Sequence, residues 1–325
     1  MADILLVSLG STAGLRASDA ELAASLERAG AGVVVAAALP QRSWRTLALT
    51  DLAWARAARA AALDAISRER PRAVIYSTIT AALLGPTSGA IRFDALCAQN
   101  RPGRHGLWQR PRERTLLARA PLLLPVSDAA LTGAPPHAGR VVVTPIVVEP
   151  SGPPLEASSR DIAAITYAAN PHKKGLDRVL AAWAKARRAG EELYVAGVSD
   201  VPAIDGVRVL GTLERSAYRA LLRRARVYIA SPRREEYGIA QLEALADGAM
   251  LVSSETAVPY AALALAREVD ARLIGADLAG AIRTALDDPR PGYAAAVAPL
   301  LEPFSAASVD RVVAEQVLPA LIGAA

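Results

Sequence analysis

Ser231-Pro232-Arg233-Arg234-Glu235-Glu236-Tyr237-Gly238-Ile239-Ala240-Gln241-Leu242-Glu243-Ala244-Leu245-Ala246-Asp247-Gly248 follows the apolar run Val227–Ala230 and passes into residues with helical spacing. This predicts a strand, a loop and a helix in immediate succession. Gly238 lets a backbone approach a ligand closely, and the unpaired N–H groups of a new helix suit a diphosphate. Glu235 lies before the helix and Glu243 inside it, so the two carboxylates can accept hydrogen bonds from two separate hydroxylated groups, such as a hexose and a ribose.

Outward from this stretch the same alternation repeats. Upstream lie a strand over 163–167, a helix over 175–188, strands over 193–196 and 207–210, and a helix over 216–224; downstream, a strand covers 250–253. The N-terminal half reads likewise, with strands at 4–7, 33–38, 73–76 and 122–124 and a long helix over 51–70. A turn over 9–14 precedes a helix expected to start at Ser18-Asp19-Ala20-Glu21. Continuous apolar strands are those of parallel sheets covered on both faces. Between the halves, 145–159 is rich in proline, glycine and serine and reads as a linker. The expected architecture is therefore α/β, with two doubly wound Rossmann-like domains, 1–148 and 149–304, and a terminal amphipathic helix over 305–325. Such sheets bind ligands at the carboxyl ends of their strands. That leaves dehydrogenases, epimerases, periplasmic-type binders and transferases open.

The 325 residues suit two domains, and a composition 52% hydrophobic and 21% charged is that of a globular chain. Cys97 is the single cysteine, so no intramolecular disulfide forms, which fits a reducing compartment. The first residues lack a basic leader and no apolar run is long enough to span a bilayer, so the expectation is a cytoplasmic protein. The charge is uneven: residues 1–150 hold 17 Lys/Arg against 11 Asp/Glu, and the rest 20 against 21. A basic first half points to an anionic ligand or surface. Nucleic acid is disfavoured, because aromatics are 4% and no nucleic-acid-reading signature is present. Arg42-Ser43-Trp44-Arg45, followed by Trp54, Arg56 and Arg59, reads two ways: a helix resting peripherally on an anionic membrane, or one packed on its own sheet.

The Ser231–Gly248 stretch resembles the E-x7-E donor motif of the family 4 (group 1) retaining glycosyltransferases, which have the GT-B fold. Glu235, Gly238, Glu243, Ala244 and Gly248 match, with Tyr237 in place of the usual Phe. A second match precedes it in Lys174, Gly175 and Asp177, at a strand-to-helix junction. There the family also carries an arginine on the donor diphosphate, and this chain has Ala169 in its place. The second positive charge must come from Lys173 or from an arginine of the first half.

The resemblance implies a UDP- or GDP-sugar donor, with Glu235 on the sugar and Glu243 on the ribose. Lys174, with the backbone at Tyr237, Gly238 and Ile239, would lie on the diphosphate. It implies a hexosyltransferase acting with retention, without a metal or other cofactor, on an acceptor held by the first domain. The loop containing Gly10 is a further donor contact of this kind. In the basic loop 100–110, His105 is the candidate for the sugar hydroxyls, and Arg104 and Trp108 for the acceptor or a phosphate. No D-x-D, spaced histidines, G-x-S-x-G or Walker loop is present. Two rivals share these residues: a nucleotide-sugar epimerase of the same fold, and a nucleotide-sugar binding protein with little turnover, favoured by Ala169.

Overall fold

A computed structural model describes residues 2–256 and 259–323; the last two residues of the expected terminal helix, 324 and 325, lie outside them. The chain forms two compact units, Val148–Ser305 and a larger one that combines Met1–Val147 with Ala306–Ala325. Each is built on its own fully parallel sheet.

In the first unit the strands are β1 (Ile4–Ser8), β2 (Val33–Ala37), β3 (Ala73–Tyr76), β4 (Ala90–Phe93), β5 (Leu122–Pro125) and β6 (Arg140–Val141), in the order β2-β1-β3-β4-β5-β6. Alternate residues of β1 face opposite layers, as a pleated strand requires. Leu5 and Val7 meet Ala55, Ala58, Ala62 and Ala65 of the Leu47–Glu69 helix, whose alanine face lets the helix approach the sheet closely. Ile4 and Leu6 meet Leu22 and Leu26 of the Ala13–Arg28 helix, together with Val309, Val313 and Val317. The terminal segment therefore belongs to this unit. It is tied down where Asp310 accepts from Ser25 Oγ at 2.6 Å and from Arg28 Nε at 2.7 Å. That segment is helical from Ala306, with a π turn over Val313–Val317 just before Pro319, which has no N–H to continue an α-helical ladder.

The second unit contains β7 (Ile162–Tyr167), β8 (Leu193–Ala196), β9 (Val207–Gly211), β10 (Ala225–Ala230) and β11 (Met250–Ser253), ordered β11-β10-β7-β8-β9. The chain runs outward from β7 to β9, then returns to the other side of β7. The switch point thus lies between β7 and β10, where the loops leaving the two strands diverge and leave a crevice.

Two expectations change, and one left open is narrowed. The first long helix starts at Ala13, capped by the Thr12 hydroxyl on Leu15 N–H at 3.2 Å, and not at Ser18. Ser18 and Asp19 are buried inside it, and Asp19 accepts from Ser8 Oγ at 2.5 Å. The 145–159 run is not slack beyond 147. Ser151 donates through N–H and Oγ to Asp247 Oδ1 at 2.7 and 2.8 Å, and Arg223 donates to Pro153 O at 2.5 Å. The body of the Leu47–Glu69 helix packs on its sheet: Trp54 lies against the core, and Arg59 donates to Leu84 O at 3.0 Å. Among the described residues, no helix is long and apolar enough to cross a membrane.

Candidate functional site

The site in the second unit is assembled by two glycine-dependent turns. Asn170 caps the short Pro171–Lys174 helix by accepting from Lys173 N–H at 3.0 Å, and Gly175 closes it with φ +65°. A Cβ on Gly175 would sit 2.0 Å from Ser231 O. The loops leaving β7 and β10 therefore meet backbone to backbone, and Arg233 N–H donates to Lys173 O at 3.0 Å. Gly238, at φ +84°, starts the Ile239–Ala246 helix in the left-handed conformation glycine permits, and a Cβ there would lie 2.6 Å from the Tyr260 ring.

These turns bring together residues 61 positions apart. Lys174 Nζ lies 2.5 Å from Glu235 Oε2, with the two side chains 19% and 6% exposed. Gln241 Nε2 donates to the same oxygen at 2.9 Å. The result is a buried cation–carboxylate pair at the switch point, beside the amino end of the Ile239–Ala246 helix. That end carries partial positive charge and N–H groups without intrahelical acceptors. Lys173 pairs instead with Glu236, which Arg234 Nε also reaches at 2.7 Å. Burial pushes the Glu236 carboxyl up, and the two cations outweigh it, leaving the group below its ordinary range. Arg233 forks onto Asp177 at 2.7 Å to each oxygen and holds that carboxyl down to about 2.

Glu243, eight residues from Glu235, is buried between two arginines absent from the sequence reading. Arg215 NH2 lies 2.7 Å and Arg219 NH1 3.3 Å from its Oε1. Arg219 is itself buried; its Nε meets Asp247 Oδ2 at 2.6 Å and its NH2 meets Glu149 O at 2.8 Å. The Arg215 side chain is 60% exposed, unlike its neighbour. Arg178 and Lys185 line an open groove of about 360 Å³ with Ser231, Ser254 and Asp277. Tyr237, expected at the donor, is buried edge-on to Phe304 with ring centroids 6.4 Å apart, so its ring braces the Gly238 turn. Ile239 is half-buried in the first helical turn.

In the first unit, Gly10 adopts φ +58° beyond β1, and its carbonyl accepts from Arg16 at 2.9 Å. The nearby Leu9 N–H donates to Ser77 Oγ at 3.2 Å, which joins the loops after β1 and β3 at that sheet's own switch point. His105 Nδ1 accepts from Leu47 N–H at 3.1 Å, and Trp108 Nε1 donates to Ala48 O at 2.9 Å. Both side chains thus secure the start of the Leu47–Glu69 helix, while Arg104 is exposed beside them. Among the described residues, no group of three or more His, Cys, Asp or Glu is placed to hold a metal ion.

Residues 160–288 match the family described as glycosyl transferases group 1. No match was found among curated proteins. Three solved structures share the architecture over the whole chain. Sucrose-phosphate synthase from Thermosynechococcus elongatus is 17% identical over 99% of both chains, with a TM-score of 0.67. WaaG, a glycosyltransferase involved in lipopolysaccharide biosynthesis, is 13% identical over 98% of this chain and 99% of its own, at 0.70. HepE from Anabaena, solved in complex with UDP-glucose, is 14% identical over 97% and 98%, at 0.69. The shared architecture is the GT-B class of two Rossmann-like α/β units.

Proposed function

We propose that this chain is a glycosyltransferase whose Val148–Ser305 unit holds a nucleotide-diphosphate sugar. The observation carrying this reading is the Lys174–Glu235 pair at the β7/β10 switch point, beside the Gly238 helix start and one element away from Glu243. A diphosphate placed against the helix amides and Lys174 would compete with Glu235 for the lysine and free that carboxylate for sugar hydroxyls. Glu243 takes ribose hydroxyls. As the glycosidic bond breaks, Lys174 and the helix start stabilise the charge growing on the leaving diphosphate. The group 1 match and the UDP-glucose bound to HepE support a nucleotide-sugar donor, and transfer with retention rests on the resemblance of the Glu235–Glu243 motif alone.

The charge missing at Ala169 has a source within the same unit. Lys173 is engaged by Glu236, whereas Arg215 is largely exposed and already touches Glu243. When the ribose occupies Glu243, Arg215 turns to the donor phosphates. The deciding experiment is thermal-shift binding against UDP, GDP, ADP, dTDP and their sugars, repeated with Glu243→Ala and Lys174→Met. Saturable stabilisation by one nucleotide class, lost in both variants, supports the donor site. No stabilisation by any nucleotide overturns it. The second reading, a binder with little turnover, has Ala169 in its favour; it predicts that stabilisation without release of nucleoside diphosphate from any sugar donor.

A further inference from the structure

A surface in the first unit is left over by the proposed function. Among the described residues, eight large apolar side chains are exposed, and five fall in two segments: Leu39 (75%), Trp44 (58%), Leu47 and Leu49 in 39–49, and Leu107 (67%) in the basic loop. The segments are far apart in sequence and joined in space, since Leu47 N–H bonds His105 Nδ1 and the Trp108 indole bonds Ala48 O. They form one built surface. Thr46 caps the Leu47–Glu69 helix through Leu49 N–H, Trp44 N–H donates to Thr50 Oγ1 at 2.9 Å, and Arg101 forks onto Asp51 at 2.7 and 3.0 Å.

The charge carried by these two segments has one sign. Neither 38–50 nor 98–112 contains an acidic residue. The acids at their borders are out of play: Asp51 is buried under Arg101, and Glu113 is buried accepting from Cys97 N–H at 2.7 Å. Arg42, Arg45 and Arg104 are exposed and form no ion pair among the described residues. Leucine side chains and an indole rimmed by unopposed arginines match a bilayer carrying negative headgroups. The apolar groups enter the acyl boundary, the indole sits at the headgroup level, and the guanidinium groups meet phosphates. A nucleic acid would have no use for the leucines, and a soluble acidic partner would leave Leu39 and Trp44 to find apolar pockets of its own.

We propose that this surface, made of residues 39–49 and 103–108, docks the protein peripherally on an anionic lipid membrane. The docking does not involve the donor residues of the second unit and stands whether or not they bind a nucleotide. Its test is co-sedimentation of the full chain with phosphatidylcholine vesicles, with and without phosphatidylglycerol. Binding is expected only to the anionic vesicles, and it weakens as salt is raised. Replacing Arg42, Arg45 and Arg104 together by Gln lowers partitioning roughly fivefold per arginine, on the order of a hundredfold in all. Trp44→Ser with Leu107→Ser lowers it roughly tenfold or more. All five side chains are exposed, so both variants keep the parent's circular dichroism, and Trp44→Ser with Leu107→Ser also keeps its thermal shift with nucleotide. No binding to anionic vesicles, equal binding to neutral ones, or binding that both variants retain would overturn the proposal. So would recovery of an acidic soluble protein on this surface when vesicles fail to bind.

Discussion

Arg219 holds together the part of the site that faces the proposed ribose, and removing it has a calculable cost. Its guanidinium bonds Asp247, Glu243 and the Glu149 carbonyl, and the three side chains are 7%, 0% and 8% exposed in the order Arg219, Asp247, Glu243. In Arg219→Met, Asp247 keeps the two Ser151 donors and Glu243 keeps Arg215, but a buried carboxylate loses its countercharge. Breaking a buried pair from one side costs about 3–5 kcal/mol. For a unit of this size that is a fall in melting temperature of roughly 6–20 °C. Adding Asp247→Asn removes the stranded charge and should return on the order of 1–3 kcal/mol. The assay is urea unfolding of fluorotryptophan-labelled protein followed by fluorine NMR. Trp183 alone reports the second unit, where it is fully buried with its indole N–H on Gly206 O, and Trp54 and Trp108 report the first as an internal control. A loss below about 1 kcal/mol at Trp183, or a double variant no more stable than the single one, would refute the view that this buried network is electrostatically tight.

Gly175→Ala should destabilise the second unit by several kcal/mol and abolish nucleotide stabilisation, because its Cβ would meet the Ser231 carbonyl at 2.0 Å in a left-handed turn; a wild-type melt for this variant contradicts the backbone contact. Burial, reinforced by the neighbouring Glu113, pushes the Cys97 thiol well above its ordinary range. It should resist a thiol reagent at mildly alkaline pH until urea is added, and rapid labelling of the native chain would be the opposing result. The Asp177 carboxyl is depressed from 3.8 to about 2 by Arg233. A depressed carboxylate contributes stability above its unfolded pKa and loses it as pH falls through the folded one, so the pair holds above pH 3.8 and is lost toward pH 2. An NMR titration of the Asp177 carboxyl carbon should show that low midpoint, raised to the ordinary value in Arg233→Gln.

The first unit shows where local pattern falls short. Ala90–Phe93 carries Arg92 in the middle of a four-residue strand, which breaks the apolar run that marks a buried strand; Arg140–Val141 is too short to show any period. The Ala13–Arg28 helix was legible, but its start was not. Thr12, Ser18 and Asp19 are all good caps, and only packing decides that Thr12 caps while Asp19 is buried against Ser8. At the candidate site, Lys174 and Glu235 were readable because each stands at a strand-to-helix junction shortly before a glycine, and Glu243 because it follows Glu235 at a fixed spacing on the helix that Gly238 opens. Arg215 and Arg219 had no such marker. They lie on an arginine-rich helix, Arg215–Arg224, that looks in sequence like any solvated one.

The sequence by itself determined the alternation of strand and helix, the two-unit plan and the residues proposed to handle a diphosphate. Those are properties of short windows: periodicity, a glycine at a turn, a charge beside it. Tertiary structure alone decided the partners. The return of the chain across β7 puts the Lys174 loop against the Glu235 loop, the approach of the Arg215–Arg224 helix puts two arginines on Glu243, and a histidine cap joins 39–49 to 103–108. Which distant groups meet depends on strand order and on how closely backbones can pack, and no local pattern records either.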